Sequence, residues 1–366
     1  MAKYFITTFI IVLTIHFSTI AQKPVTKQIA NGIEAIDSMV VEALSKDVGI
    51  IPAPTFNPSF GAGIAILPMI VYKNPKMDST TNPSTIQGLG FLNFKGSYIT
   101  GIKSTIYTNR NAFWIDGYAG YLNMKMKNLK SSGVENPQNL YFSGFSSNIT
   151  VLRKIFNNFY GGLLFNSNYL NESSEQNKDE DYHWYNSIGL KVSYDSRNDI
   201  FFPSSGFFIN MNYQNLINSH MSPYGFDKFN FNLSNYISLN GTDNMILAYK
   251  LHTQLGWGSL PLHEKASPGG SSVLKGYITG NYIDNSIMTL QAEYRWMFAQ
   301  RWGVVGFVGY GWLFDQVHNF HQGMELPSYG FGVRHKLFKQ FKINLSFDVS
   351  FGRDNTNFQI GLNESF

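Results

Sequence analysis

The sequence has no cysteine in 366 residues, so disulfides, thiolate metal sites and a lipid-modified cysteine at a processed N-terminus are all excluded. It is also short of charge: Asp, Glu, Lys and Arg make up 14% of the chain, where a soluble domain has about 25%. No run of about 18 apolar residues occurs, which removes helical membrane spans. A net charge of +4 is too slight to call for a nucleic-acid partner. What the chain has in quantity is aromatic or small: 31 Phe, 21 Tyr and 33 Gly. With spanning helices excluded, a transmembrane β-barrel is the membrane option that remains.

Lys3, the apolar stretch Tyr4 to Ile15 and the small residues around Ser18 to Ala21 have the three regions of a secretory signal. Cleavage is expected after Ala21, dividing the chain into a signal peptide (1–21), a short periplasmic tail (22–57) and an outer-membrane barrel (58–366). Within the tail, Ile33, Ile36, Met39, Val40 and Leu44 recur at helical spacing, and Pro52, Pro54 and Pro58 end that pattern. About 35 residues is less than an independent domain requires, which is about 50.

From residue 60 onward, segments of alternating polarity follow one another to the C-terminus, separated by turns rich in Asn, Ser and Gly. Fifteen strands are expected, near 60–72, 87–95, 97–109, 111–126, 140–154, 159–170, 186–197, 206–217, 228–238, 244–257, 286–297, 303–313, 328–337, 342–351 and 357–366. A closed single-chain bacterial barrel takes an even number. Sixteen is therefore preferred, with one more strand between 111 and 140, and fourteen or twelve are the alternatives. One face of nearly every strand is polar. Leu290, Ala292, Tyr294 and Trp296 oppose Gln291, Glu293 and Arg295, and Ile343, Leu345, Phe347 and Val349 oppose Asn344, Ser346 and Asp348. That pattern implies a wet interior and an oily exterior, the reverse of a soluble sandwich. Short turns such as Asn157-Asn158 alternate with the longer stretches 73–86, 171–183, 218–226, 258–285 and 314–326, which are expected to share the extracellular end.

Two motifs stand out. Asp195-Ser196-Arg197-Asn198-Asp199 precedes Pro203-Ser204-Ser205-Gly206, and Leu274-Lys275-Gly276-Tyr277 precedes Glu293-Tyr294-Arg295. The first resembles the D-x-R-x-D…P-x-x-G hairpin of the BamA/TamA superfamily of bacterial surface antigen barrels. The second resembles that family's sixth extracellular loop, with its V/L-R-G-F/Y tip, and the strand after it. The resemblance covers about 60–366. It implies a Gram-negative outer-membrane barrel that inserts or translocates proteins or lipids, surrounded by outer-membrane lipid and lipopolysaccharide and assembled by the barrel assembly machinery, which reads aromatic C-termini such as Phe366. In the family the loop folds into the lumen, where its arginine pairs with an aspartate of an F-x-D-x-G strand. Here Lys275 stands in place of the arginine, and Gly309 in Phe307-Val308-Gly309-Tyr310-Gly311 stands in place of the aspartate. Lysine cannot form arginine's bidentate fork. Glu293 is then the expected partner of Lys275, with Arg295 competing for it. The tail has no room for the family's periplasmic repeats (POTRA domains).

No catalytic constellation is found and no cofactor is expected. His318 and His321 lack a carboxylate cluster, and Glu172, Glu175, Asp179, Glu180 and Asp181 read as solvated charge ahead of a divalent-cation site. Three readings from different classes stand at this point. The first is a barrel that assists protein or lipid insertion, alone or as a subunit. The second is a passive pore, and the third a lipid-modifying barrel enzyme.

Overall fold

The computed structural model describes residues 48–364 apart from 58–60, 73–79, 132–137, 175–180, 217–223, 270–271, 339–341, 354–355 and 363. The signal peptide, the helical pattern from Ile33 to Leu44 and Phe366 lie outside the described residues.

Alternating polarity makes a strand stable only when each face meets the medium that suits it. The chain meets this requirement with a single sheet. Its strands are β1 (Val48–Asn57), β2 (Gly61–Tyr72), β3 (Ser84–Asn93), β4 (Tyr98–Tyr107), β5 (Phe113–Ser131), β6 (Gln138–Phe156), β7 (Phe159–Ser174), β8 (His183–Asp195), β9 (Gly206–Leu216), β10 (Gly225–Ser238), β11 (Met245–Ser259), β12 (Tyr282–Ile283), β13 (Ser286–Trp296), β14 (Trp302–Phe314), β15 (Met324–Phe338), β16 (Ile343–Phe351) and β17 (Thr356–Leu362). All but β12 form a continuous antiparallel series in chain order, sixteen strands from β1 to β17. The two-residue β12 belongs to the connection between β11 and β13 and lies parallel to the end of β5. Strands β1 and β17 come within 8 Å of each other, and among the described residues no hydrogen-bonded ladder joins them. This seam is where the barrel meets itself.

The count of sixteen matches expectation, but the sixteenth strand lies elsewhere. Among the described residues the only strands in the region 111–140 are β5 and the start of β6, both longer than expected, and the additional strand is β1. The tail boundary at residue 57 moves accordingly, because Val48–Asn57 is paired along its length with β2. Pro52 and Pro54 suggested a chain break. Two residues apart in a strand, they withdraw their missing donors from the same edge, which a strand bordering the seam tolerates and a central strand would not.

Placing the extra strand first also changes which end the early connections occupy. Strand alternation puts 73–83, which joins β2 to β3, at the end that holds 157–158 and 196–205, not with the long loops. There Asn82 N–H donates to Asn111 Oδ1 at 2.8 Å and Arg110 N–H to Thr81 Oγ1 at 2.9 Å, tying it to the β4–β5 turn. The stretches 175–182, 217–224, 260–285 and 315–323 do share the opposite, loop end.

The faces are divided as the sequence implies. Leu190, Leu290, Tyr294, Val308 and Phe331 point outward and are exposed, while Gln291, Glu293, Arg295, Arg334 and Asp348 are buried within the barrel. Aromatic side chains gather at both rims. Tyr169 stacks with Tyr182 at 5.1 Å at the loop end, and Phe156 stacks with Phe159 at 4.6 Å at the turn end. Rings at both interfaces suit a barrel spanning a bilayer, where amphipathic groups settle at headgroup depth. One expected face differs: Ile343 is buried against Met69, Val71 and Phe201, at the register shift that opens the β15–β16 pairing.

An arginine at the bilayer midplane costs about 2–4 kcal/mol. Leu190→Arg, on the oily face and 64% exposed, is therefore expected to lower the heat-modifiable folded fraction on cold gel electrophoresis, and Asn210→Arg on the lumen wall to leave it near the parent level. Equal loss from both would contradict the assignment of faces.

Candidate functional site

The connection 260–285 does not stay at the rim. It is pinned there first, since Glu172 on β7 accepts the backbone N–H groups of Leu262 and His263 at 3.0 and 3.2 Å and also meets the His263 imidazole. Glu172 thus anchors the loop, contrary to its reading as solvated charge; Glu175, Asp179 and Glu180 lie outside the described residues. Ala266 and Asp284 exchange backbone hydrogen bonds of 2.7 and 3.0 Å, closing the loop's neck. Beyond it the chain descends into the lumen, where Leu274, Lys275 and Tyr277 are 0%, 2% and 1% exposed.

Backbone geometry sets the tip. Gly276 has φ +92°, and a Cβ there would lie 2.8 Å from the Phe351 carbonyl oxygen, so both conformation and space require glycine. Lys275 N–H donates to Gln291 Oε1 at 3.1 Å, and its carbonyl accepts the Ser328 hydroxyl. Tyr277 packs with Leu274, Ile287, Leu313 and Leu326, donates its hydroxyl to the Pro327 carbonyl at 2.6 Å and accepts the Arg353 N–H at 3.0 Å.

The charges close into a ring. Lys275 Nζ lies 2.5 Å from Glu293 Oε2 and 3.0 Å from Asp348 Oδ2. Arg295 Nε reaches the other oxygen of Glu293 at 2.6 Å and Glu364 at 3.9 Å. Arg334 completes the circuit, at 2.8 Å from Glu364 and 2.5 Å from Asp348. Three cations alternate with three carboxylates, so the buried set is neutral, and every carboxylate meets two cations. The Lys275 ammonium also stands 4.3 Å from the centroid of the Phe307 ring. Arg295 does not displace Lys275, because each takes a different oxygen of Glu293. Gly309 explains the altered pairing: a Cβ there would meet Leu274 Cδ1 at 2.8 Å and Gln291 Cγ at 3.0 Å. Leu274 occupies the space an aspartate would need, and the carboxylates come from β13, beside β14, and from β16, two strands away.

The hairpin motif lies at the turn end. Arg197 forms a bidentate pair with Asp195 at 2.9 and 2.7 Å and covers the Phe208 ring at 4.2 Å. Asp199 Oδ1 accepts the N–H groups of Phe201 and Phe202 at 2.8 and 2.9 Å. These bonds turn two phenylalanines into the barrel's base, and Pro203 is buried beside them. Gly206 then leads into β9. Asp243 clasps neighbouring turns together, accepting from Ser204 Oγ at 2.5 Å and pairing with Lys342 at 2.7 Å. The hairpin and the loop tip are thus separate clusters at different depths in the barrel.

Arg334, Asp348 and Glu364 were not singled out from the sequence as site residues. The available signal was Glu364, a carboxylate where an apolar C-terminal position is expected. His318 and His321 lie in the loop-end turn Val317–Gln322, and among the described residues no group of three or more His, Asp or Glu side chains is arranged to hold a metal.

Comparison with known proteins fixes the relationship. The Omp85 superfamily domain matches residues 100–366, well over half of the chain. The chain belongs to the Omp85 superfamily. No curated protein matches it in sequence. Among solved structures it is similar to BamA from Haemophilus ducreyi lacking POTRA domains 1-3, at TM-score 0.53 and 14% identity, covering 86% of this chain and 69% of that one. It is also similar to CdiB from Escherichia coli, at 0.57 and 10%, covering 86% and 60%, and to CdiB from Acinetobacter baumannii, at 0.51 and 10%, covering 88% and 66%. At such identities the likeness shows the fold: this is an outer-membrane β-barrel of the Omp85 type, spanning about two thirds of the length of these structures.

Two tests follow from the geometry. Removing one partner of a buried ion pair leaves an uncompensated charge and costs about 3–5 kcal/mol. Lys275→Ala, leaving the ring at −1, and Glu293→Ala, leaving it at +1, are each expected to expose the loop near Gly276 to limited proteolysis. The double variant restores neutrality and should lose less than the sum of the two; additive losses would show that the two residues do not act as a pair. The second test concerns Asp243, whose hydrogen bonds from Lys342 and Ser204 hold its carboxyl below the usual range. A carboxyl depressed in the folded state contributes stability above its unfolded pKa of about 3.9 and loses it as pH falls through the folded value. The acid-side decline in thermal stability should therefore be shallower in Asp243→Asn, and an unchanged slope would remove Asp243 from the clasp.

Proposed function

We propose that this Omp85 barrel assists the insertion or translocation of outer-membrane proteins or lipids, alone or as a subunit of a larger assembly. The observation that carries the reading is the seam. Strands β1 and β17 lie side by side without a shared ladder among the described residues, so parting them breaks fewer hydrogen bonds than parting any other neighbours. Unpaired edges are templates for a further strand, which suits a client β-segment. Glu364, just beyond β17, joins the ring that holds the loop tip, so the seam's last strand and the loop share one anchor. Two features argue against a passive pore: a loop tip buried in the lumen, and a base filled by Phe201 and Phe202. Among the described residues no catalytic grouping supports the enzyme reading.

The test is reconstitution into liposomes with an unfolded eight-stranded outer-membrane protein as client. The native chain has no thiols, so one cysteine in β1 and one in β17 give a single defined cross-link. The expected result is faster client folding with the reduced pair and no acceleration once it is oxidised. Steady ion conductance without any effect on client folding would overturn the proposal in favour of a pore.

A further inference from the structure

At the loop end, apart from the latch and the seam, a pocket of about 340 Å3 opens where β11, β13 and β14 meet the rim. Small-ligand sites usually measure about 300–1,000 Å3. Part of its wall is Trp257, a residue 45% exposed. Glycines on either side hold that residue in place. A Cβ at Gly256 would lie 2.7 Å from the Asn285 carbonyl oxygen, and Gly258 has φ +87° with its Cβ position 2.5 Å from the Gly225 carbonyl oxygen, so both positions require glycine. The turn Val317–Gln322 contributes Val317 and His318. Phe320 secures this turn by packing on Trp312 and Phe314, with ring centroids 5.6 and 5.3 Å away. Gln316, Asn285 and Asp315 complete the polar wall. Asn285 donates an amide N–H to Asp315 Oδ1 at 2.5 Å, while its own amide oxygen has no hydrogen-bond partner.

The chemistry of this wall is selective. No lysine or arginine lines the pocket, and across the β10–β11 ladder from Trp257 stands Asp227, a second acid beside Asp315. Anions are therefore repelled. Among the described residues no group of three or more His, Asp or Glu side chains is arranged for a metal, so a cation has no ligand set here. What remains is an indole beside amides and a carboxylate, an aromatic surface next to both donors and acceptors. An indole serving only the interfacial aromatic belt would need no such pocket. A pyranose fits both features: its C–H face packs on a ring, and its hydroxyls donate and accept at once. We propose that the pocket binds a neutral sugar unit in the pyranose form, carried either on a lipid head at the rim or on a free oligosaccharide. The loop end suits either source, since long loops face outward in such barrels.

The experiment uses the full chain in nanodiscs, with empty nanodiscs as the blank, and saturation-transfer NMR titrations of the methyl pyranosides of glucose, galactose and mannose. Saturable binding of at least one is expected, with its 6-phosphate binding about tenfold or more weakly because of the acidic wall. Trp257→Ala should weaken the sugar about tenfold, the order of one stacking contact. Asp315→Asn, which removes the charge and keeps the shape, should narrow the gap between the sugar and its 6-phosphate, and it serves as a second variant should the alanine variant fold poorly. Adding a monoglycosyl diacylglycerol with the same sugar to the nanodisc distinguishes the sources: displacement of the free pyranoside supports the lipid-borne sugar, and no displacement supports the free oligosaccharide. Binding of none of the three pyranosides, a 6-phosphate that binds as tightly as its parent sugar, or an affinity unchanged by Trp257→Ala would overturn the assignment.

Discussion

Six charges buried in a lumen must cancel, and that constraint organises this barrel. A lone ammonium or carboxylate at the depth of Lys275 or Glu293 would carry a desolvation penalty of several kcal/mol. Alternation around a closed circuit lets each carboxylate meet two cations. Because the members come from the loop, β13, β15, β16 and the segment after β17, no one of them can be withdrawn without charging the rest. The loop's descent, the glycine at its tip and the inward turn of Glu364 are consequences of closing that circuit.

The same constraint accounts for how the chain departs from its family's motif. Lysine at 275 has no fork to present to one carboxylate, and it is served instead by two carboxylates from different strands and by the face of Phe307. Glycine at 309 makes space for Leu274, moving an apolar contact to where the sequence resemblance places an ion pair. Paired changes at two ends of one interaction thus amount to a rewired latch rather than a missing one. The hairpin at the other end follows local rules: the arginine fork on Asp195 and the Asp199 turn need only residues within a few positions of each other.

Much of the barrel was legible because period-2 alternation is a local signal. Fifteen strands were placed near their observed positions, and Leu290, Tyr294, Glu293 and Arg295 were assigned to the correct faces. The first strand was not legible, since Pro52 and Pro54 signal a break unless the strand is known to border a seam, and that is a property of the closed sheet. Missing it put 73–83 at the wrong end, because each connection's end depends on the parity of all strands before it. Arg334 and Asp348 were hidden for a related reason: an inward charge on an alternating strand looks the same whether it faces water or a partner on another strand.

The central claim is that loop tip and last strand share one anchor. Hydrogen–deuterium exchange on the Glu364→Gln variant in nanodiscs tests it most directly, since exchange reports local opening segment by segment. The account predicts faster exchange both in Leu274–Tyr277 and in β17 and the strands beside it, with β5–β9 unchanged. Faster exchange confined to β17, with the loop tip as protected as in the parent, would contradict it.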